Sequence, residues 1–262
     1  MMKSLTILKI GGNILDNQDL LPAMLDNFAA IEGNKILIHG GGKIANVLMK
    51  QLGIEPKMVD GRRITNDKTL EIVTMVYGGL INKGLVCSLQ ARGCNAIGLT
   101  GADANVIPAV KRPVKEIDYG FVGDVDTSKI NATTIEKLLN HDLVPIFAPL
   151  THDNKGSMLN TNADTIASSV AVALAKSFKV KLIYCFEKKG VLSDVNNENS
   201  VISDIDETIY TQYKSKGAIH SGMIPKLDNA FNALKAGVAQ IVICGPDAFK
   251  TTNPKQGTMI HL

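Results

Sequence analysis

The 262-residue chain has no tryptophan, only 5% aromatic residues and four cysteines, and each shortage excludes a class of protein. A disulfide framework or a structural zinc site needs closely spaced cysteines, whereas Cys87, Cys94, Cys185 and Cys244 include no CxxC pair. We therefore expect buried, reduced thiols. The net charge of +3 without a basic block, together with the few aromatic residues, predicts no nucleic-acid partner.

Long hydrophobic runs are also missing. No apolar stretch approaches the roughly 20 residues that a membrane span requires. The first apolar run is too short for a secretory signal and lacks a small-residue cleavage site. We therefore expect no membrane partner and a cytoplasmic location. The hydrophobic content of 45% is ample for a buried core, either in one large domain or in two tightly joined lobes.

Short strand-like runs alternate with amphipathic helical segments along the whole chain, beginning with a βαβα opening. A long helix is predicted from Asn66 to about Arg92, and a second one over residues 163–176. Residues 106–126 differ, because two short strand-like pieces flank a proline-containing segment, which indicates an antiparallel hairpin or flap covering another part of the molecule. The pattern as a whole predicts an α/β protein with a mostly parallel sheet flanked by helices.

Three segments combine glycine with lysine at the start of a turn or helix. Lys9 precedes Gly11 and Gly12 at the end of the first strand, and residues 39–43 (HGGGK) follow the second strand. Glycine lets the backbone approach a ligand closely, and a helix N-terminus binds anions, so both turns predict phosphate or carboxylate binding. In the third segment, SGMIPK, Lys226 lies in the first turn of a helix, where its charge is unfavourable without an anionic partner.

Other readings of the glycine segments stay open at this stage. The sequence GGGKIA also fits the GxGxxA dinucleotide pattern, with Asp60 at a distance tolerable for a ribose contact, so a nicotinamide oxidoreductase is an alternative. The P-loop pattern and the HRD and DFG signatures of protein kinases are absent. In DGRRIT, residues 60–65, one or two arginines follow a glycine and could bind a carboxylate through two hydrogen bonds.

The segment LNTNAD, residues 159–164, places polar side chains at alternate positions just before a helix rich in small residues. An extended chain directs Asn160, Asn162 and Asp164 to one side. Asn162 is a plausible N-cap of the helix, and Asp164 lies in its first turn, where a negative charge suits the helix dipole.

Taken in order, KIGGN, HGGG, DGRRIT, GFVGD, LNTNAD and GMIPK resemble the acetylglutamate kinase family of the amino acid kinase superfamily, from Lys9 to Gly257. The resemblance implies a three-layer αβα sandwich around an open, mostly parallel sheet. It also implies an N-acylglutamate-binding and dimerisation lobe (1–150) and a nucleotide-binding lobe (151–262). Such enzymes transfer the γ-phosphoryl group of ATP, with Mg²⁺, to the side-chain carboxylate of N-acetyl-L-glutamate in the second step of arginine biosynthesis.

The resemblance also assigns roles to individual positions. Lys9 and Lys226 match the lysines that stabilise the transferring phosphoryl group, and Asp164 matches the carboxylate that orders them. The remaining matches bind substrate or nucleotide: Gly41 and Gly42 near the reacting groups, Arg63 and Asn160 at the substrate α-carboxylate, and Gly11, Gly12 and Gly190 on the nucleotide. No residue is assigned to a metal.

The sequence departs from the family in two places. After the strand of residues 180–185 the family commonly has an Asp-containing turn, whereas residues 186–191 read FEKKGV, which leaves the adenine contacts open. No helix precedes the first strand, and such an extension accompanies arginine-inhibited hexamers in this family. We therefore expect an arginine-insensitive homodimer, with Gly78 and Gly79 of the long helix either at its seam or at an ordinary packing site within the chain.

Alternatives within the resemblance concern the acceptor and the activity. The acyl group could be succinyl instead of acetyl, or the acceptor could be free glutamate or carbamate. A nucleotide or metabolite sensor without catalysis is a further alternative, although retention of both lysines argues against it. A glutamate side chain with a pKa of about 4.3 is already an anion at neutral pH, so the reaction needs no general base.

Overall fold

The computed structural model describes residues 2–59, 61–194, 196–217, 219, 223–246 and 257–262. Its strands are β1 Lys3–Ile10, β2 Asn34–His39, β3 Met58–Val59, β4 Arg62–Arg63, β5 Ala96–Leu99, β6 Ala109–Lys111, β7 Gly123–Val125, β8 Val144–Phe147, β9 Leu150–His152, β10 Met158–Asn160, β11 Phe178–Cys185, β12 Asp204–Ile205, β13 Gln240–Cys244 and β14 Gly257–Ile260. Its α-helices are α1 Gly12–Leu15, α2 Leu20–Ala29, α3 Gly42–Gln51, α4 Asp67–Val73, α5 Asn82–Gln90, α6 Ala132–Asn140, α7 Ala163–Leu174, α8 Glu207–Ser215 and α9 Ile224–Lys235.

Eight strands form one sheet in the order β12-β14-β13-β11-β1-β2-β8-β5. The six strands from β13 to β5 are parallel to one another, while β14 runs antiparallel to β13 and parallel to β12 at the opposite edge. Strand β1 is central, and the chain leaves it towards β2 on one side and later returns to β11 on the other. That reversal creates a crevice at the carboxyl ends of the strands, where ligands bind in open α/β sheets.

Each face of the sheet packs against helices, which confirms the predicted three-layer αβα architecture. One face carries a core with α6, α7, α8 and α9, and the other a core with α1 to α5. Alternate residues of a strand point to opposite faces, so Ile7 and Leu8 of β1 belong to different cores. Both are fully buried.

The predicted long helix spans Asp67–Gln90, with a π-helical segment, Thr74–Ile81, between α4 and α5. This helix is long and apolar enough to cross a membrane, with a mean hydropathy of 1.4 over an 18-residue window. The expectation that no segment would approach the length of a membrane span is therefore wrong. Within the protein, one side of the helix packs into the core through Ile72, Val76 and Leu85, and 44% of the window is buried. A core helix of a globular fold meets the same criterion, so this finding alone does not indicate a membrane protein.

The flap and the cysteines differ in how well the structure matches their predictions. The flap prediction is confirmed, because β6 and β7 pair antiparallel. The cysteine prediction is wrong for Cys87, which is exposed on α5, and correct for the three buried free thiols. Helix α5 buries Leu85 and Leu89 on its inner side, and Cys87 lies on the opposite side.

Candidate active site

Two glycine turns lie side by side at the carboxyl edge of the sheet. Ile10 at the end of β1 is in register with His39 at the end of β2, so Gly11 and Gly40 follow at the same level. Gly12 is the first residue of α1, and its N–H therefore has no intrahelical acceptor. The Gly11 N–H is already bonded to the Cys185 carbonyl oxygen at 3.1 Å, so of this pair Gly12 is the available donor.

The second glycine turn leads into α3, which begins without a side-chain cap. A Cβ atom at Gly41 would lie 2.5 Å from Ile81 Cδ1 and 2.8 Å from the Tyr77 ring, so only glycine fits there. The N–H groups of the first turn of α3 are left to solvent or to an anion.

A buried charge cluster links three distant parts of the chain. Asp164 Oδ1 lies 2.7 Å from Lys9 Nζ of β1, and Asp164 Oδ2 lies 3.0 Å from Lys226 Nζ of α9. The side chains of Lys9 and Asp164 are 8% and 14% exposed, so water screens this pairing weakly. The structure therefore brings together the three residues predicted to be catalytic, which we call the lysine–aspartate cluster.

Asp164 is held as a carboxylate by its two partners. Burial by itself raises the pKa of this side chain, but the ammonium groups of Lys9 and Lys226 outweigh burial and lower the pKa to about 2. Its backbone is fixed locally, because the Asn162 side chain accepts hydrogen bonds from the N–H groups of Asp164 and Thr165 at 2.8 and 3.2 Å. The N-cap prediction for Asn162 is confirmed.

A cavity of about 460 Å³ opens beside the cluster. We call it the lysine cavity, and its lining includes Lys9, Gly11, Gly12, Phe186, Gly190 and Lys226. Gly190 has little free space, because an added Cβ atom would lie 2.8 Å from both Thr258 Oγ1 and Val201 Cγ1. Glycine at this position is thus required for packing of the cavity wall.

A second cavity of about 160 Å³ lies on the other side of the glycine turns. We call it the arginine cavity, and its lining includes Gly41, Gly42, Arg63, Tyr77, Val122 and Asn160. Val122 lies within the flap, just before β7, so the flap contributes to the cover of this cavity. The four residues predicted to bind substrate, Gly41, Gly42, Arg63 and Asn160, are all in its wall.

Arg63 is buried yet has no carboxylate partner among the ion pairs of the described residues. Its guanidinium donates to the Gly42 carbonyl oxygen at 3.1 Å and to Met49 Sδ at 3.4 Å. Burial raises the pKa of the neighbouring Tyr77, partly opposed by Arg63. A buried cation whose donors face a neutral carbonyl, a thioether and a tyrosine side chain can accept an anionic ligand.

Asn160 is positioned through Thr65. Its side chain donates to Thr65 Oγ1 at 3.0 Å, and Thr65 donates to the Arg63 carbonyl oxygen at 2.9 Å. Asn160 and Arg63 are thereby connected across the arginine cavity. Thr65 lies within DGRRIT, but the sequence did not reveal its bridging role.

Two parts of the sequence motifs lie outside the described residues. They are Asp60, on which the dinucleotide reading depended, and Ser221 and Gly222 of the SGMIPK segment. Sequence reasoning also missed His39 as a positioned group. The Nδ1–H of His39 donates to the Gly40 carbonyl oxygen at 2.7 Å, and its Nε2 accepts from Asn82 at 3.2 Å.

Among the described residues, few acidic or metal-binding side chains lie near the lysine cavity. The described part of the chain contains no group of three or more His, Cys, Asp or Glu side chains arranged to hold an ion. At the lysine cavity the acidic residues are Glu187, in the lining, and Asp164, whose two oxygens face lysines. A cation accompanying a nucleotide would therefore take most of its ligands from phosphate oxygens and water.

Comparison with known proteins identifies the family and the fold. Residues 4–245 match the sequence model of the Amino acid kinase family. The chain is 57% identical over 260 residues to an acetylglutamate kinase of Phocaeicola vulgatus and 55% identical over 260 residues to one of Bacteroides thetaiotaomicron, with 99% of each chain covered in both cases. A crystal structure of a protein from Streptococcus mutans superposes with a TM-score of 0.80 at 31% identity, covering 99% of both chains. The chain belongs to the amino acid kinase family, and within it to the acetylglutamate kinase family.

Proposed function

We propose that this protein transfers the γ-phosphoryl group of ATP to the side-chain carboxylate of N-acetyl-L-glutamate, the second step of arginine biosynthesis. The observation that carries the proposal is the pairing of Lys9 and Lys226 with one carboxylate at the edge of a cavity that also contains Gly12. The acetylglutamate kinases that it resembles over 99% of its length carry this activity in their names.

The chemistry requires two anions to meet. A carboxylate oxygen of the substrate attacks the γ-phosphorus, a new P–O bond forms, and the bond to the bridging oxygen of ADP breaks with its electron pair on ADP. No proton is transferred, so no general base is needed. The obstacle is charge repulsion, and catalysis consists of positioning and of positive charge around the moving phosphoryl group.

Lys9 and Lys226 supply that charge. Each ammonium has three N–H donors and uses one of them on Asp164, which leaves donors for phosphoryl oxygens. Asp164 keeps the two like charges close together without cancelling both, since the cluster carries a net charge of +1. The N–H of Gly12 and the uncapped first turn of α3 add neutral donors nearby.

The arginine cavity supports binding of the amino acid. We assign the α-carboxylate of the substrate to Arg63 and Asn160, and the reacting carboxylate to the backbone near Gly41 and Gly42. Asp164 immediately follows Ala163, which lines this cavity, so the acceptor would reach the cluster from that side. ATP would enter through the lysine cavity, with Gly11, Gly12 and Gly190 near its phosphates and Mg²⁺ carried on phosphate oxygens and water.

A substrate panel tests the proposal. ADP release would be measured with N-acetyl-L-glutamate, N-succinyl-L-glutamate, free glutamate and carbamate, and hydroxylamine would trap any acyl phosphate as a hydroxamate. We expect turnover and a hydroxamate with N-acetyl-L-glutamate. Preference for the succinyl compound would assign succinyl as the acyl group of the substrate. Turnover of only free glutamate or carbamate would assign that compound as the phosphoryl acceptor. Calorimetry showing ATP binding without any turnover would support a sensor and overturn the enzyme assignment.

We further propose that residues 1–150 form the acylglutamate-binding and dimerisation lobe, residues 151–262 form the nucleotide lobe, and the enzyme is a cytoplasmic homodimer. Met75, Gly79 and Leu80 are exposed on the long helix, with Met75 57% and Leu80 66% exposed. Gly78 packs within the chain, because a Cβ atom added there would lie 3.4 Å from Leu150 Cδ1. The dimer interface would therefore be centred on Gly79. Light scattering should give twice the mass of one chain, and Leu80→Glu should reduce it to one chain, whereas a wild-type monomer would refute the dimer.

A further inference from the structure

The aromatic ring of Phe186 lies under one of the two lysines of the cluster. Lys226 Nζ is 5.0 Å from the centroid of the Phe186 ring, and both residues line the lysine cavity. Phe186 directly follows β11 and is only 8% exposed. This geometry is within the roughly 6 Å range in which an ammonium is attracted to the face of an aromatic ring.

Lys226 needs more than one contact to keep its ammonium in place. It lies in the first turn of α9, where the helix dipole disfavours a positive charge. Its side chain is 26% exposed, compared with 8% for Lys9, so it has more freedom to turn towards solvent. The Asp164 carboxylate is shared, with one oxygen facing each lysine.

We propose that Phe186 is a positioning residue for Lys226, holding its ammonium over the ring by a cation–π interaction while phosphoryl transfer takes place. An aromatic face attracts the cation without accepting a directed N–H bond from it. The three N–H donors of Lys226 thus stay available for Asp164 and for phosphoryl oxygens. This inference rests on the proposed kinase function, because it assigns Phe186 a part in that reaction.

Two of the other four cation–π pairs among the described residues serve as an internal comparison. Lys111 lies 4.3 Å from the Phe121 ring and Lys214 lies 5.0 Å from the Tyr210 ring, and none of these four residues lines the lysine cavity. The Phe186 pair differs in its place: its ammonium contacts Asp164 at the lysine cavity, whereas Lys214, which also lies near a carboxylate, 3.9 Å from Asp228, is outside that cavity. A cation held by a ring and a carboxylate, with its remaining donors directed to a cavity, is suited to a ligand with negative oxygens.

Fluorination of the ring isolates the electrostatic part of this contact. Phenylalanine with one, two or three ring fluorines would replace Phe186 by site-specific incorporation, which weakens the negative face of the ring while nearly preserving its shape. We expect kcat to fall stepwise with fluorine number, by roughly 3- to 30-fold in total. The KM for the acylglutamate should stay nearly constant, because that substrate binds in the other cavity. A flat kcat series overturns the proposal.

Phe178 provides the matched control. It lies on β11 on the same face as Phe186, is 5% exposed, and has no cation over its ring in the described part of the chain. Fluorination at Phe178 should leave kcat unchanged. Phe186→Leu and Phe178→Leu should lower the free energy of unfolding by similar amounts. Only Phe186→Leu should also lower kcat. Equal losses of kcat in both leucine variants would indicate a packing role and overturn the proposal.

A second readout does not depend on activity. In enzyme labelled with ¹³C at the lysine side chains, ring current from Phe186 should shift the Lys226 ε-CH₂ signal upfield, and Phe186→Leu should remove that shift. If the wild type phosphorylates none of the four acceptors, the proposed function fails, but this shift still shows whether Lys226 lies over the ring. Absence of the shift in the wild type overturns the positioning proposal even if the kinase activity is present.

Discussion

The lysine–aspartate cluster and the arginine cavity differ in the counterions of their buried cationic side chains. In the cluster, the ammonium groups of Lys9 and Lys226 share a counterion within the protein, Asp164. In the arginine cavity, Arg63 is buried as deeply as Lys9 but contacts a carbonyl oxygen, a thioether and Tyr77, with no carboxylate partner among the described residues. Within the described part of the chain, the lysines therefore have a counterion before any ligand binds, and Arg63 does not.

This difference fits the two ligands proposed for the site. A phosphoryl group in transfer needs donors that are already in position, because reorganisation during the reaction adds to the barrier. A substrate carboxylate must be selected from solvent, and a buried guanidinium without a counterion favours any ligand that supplies one. The cluster should therefore control kcat, and the arginine cavity should control KM.

The largest effect is expected from Lys9→Met, which keeps the length of the side chain and removes its charge. Loss of one preorganised donor at a developing negative charge should lower kcat by about 100-fold or more, with little change in the KM for acylglutamate. Lys3→Met, at the exposed start of the same strand, is the control and should retain full activity. A rise in KM at unchanged kcat would contradict the division between the two regions.

The next largest effect concerns His39, which supports the glycine turn of the arginine cavity. Burial lowers its pKa to about 4, partly opposed by its hydrogen bond to Gly40. The imidazole of the unfolded chain then binds a proton more readily than that of the native protein. The contribution of His39 to the free energy of unfolding is therefore fully present above about pH 6.5 and is lost as the pH drops towards 4. The loss should be about 3 kcal/mol.

Urea unfolding at several pH values between 7 and 4 measures the His39 contribution. His39→Gln should be less stable at pH 7, because hydrogen bonds to Gly40 and Asn82 are lost, but its stability should change less across this pH window. The exposed His261→Gln is the control and should keep the wild-type slope. An unchanged slope in His39→Gln would mean that other groups cause the acid sensitivity.

Asp164 should show its effect in a lower pH window. Its pKa is lowered to about 2 in the folded protein, so the unfolded chain, with an ordinary value near 4, takes up the proton first on acidification. Stability from this group is therefore complete above about pH 4 and is lost as the pH falls towards 2, by about 2 kcal/mol. In Asp164→Asn the loss in this window should disappear, while stability at neutral pH should drop by about 3 kcal/mol. Unfolding curves at pH 3 and pH 5 for both proteins would check this.

The comparison also separates what the sequence can predict from what it cannot. Asp164 and Asn162 were predictable because their positions relative to a helix start fix where their side chains lie. Gly12 and Gly41 were predictable because a glycine turn after a strand leaves N–H groups exposed. The resemblance to a known family joined these local signals into one site, which local geometry alone does not do.

Contacts that depend on sheet order were not predictable. Lys9 and Tyr184 are register partners on β1 and β11, although 175 positions separate them, and no local pattern indicates that pairing. The antiparallel direction of β14 depends on how the chain returns after β13. For the same reason the FEKKGV turn looked only like a departure from the family, whereas its first residue, Phe186, lies against Lys226.

The smallest effect, and the sharpest test of the arginine cavity, is expected from Arg63→Lys. The charge is kept, but an ammonium cannot offer the two parallel N–H donors with which a guanidinium binds a carboxylate. The KM for acylglutamate should rise about tenfold, which corresponds to about 1.4 kcal/mol, with kcat nearly unchanged. Arg92→Lys, whose guanidinium pairs with Asp26 instead, is the control. If Arg63→Lys lowers kcat as much as Lys9→Met does, Arg63 acts on the transferring phosphoryl group, and the two regions form one catalytic unit.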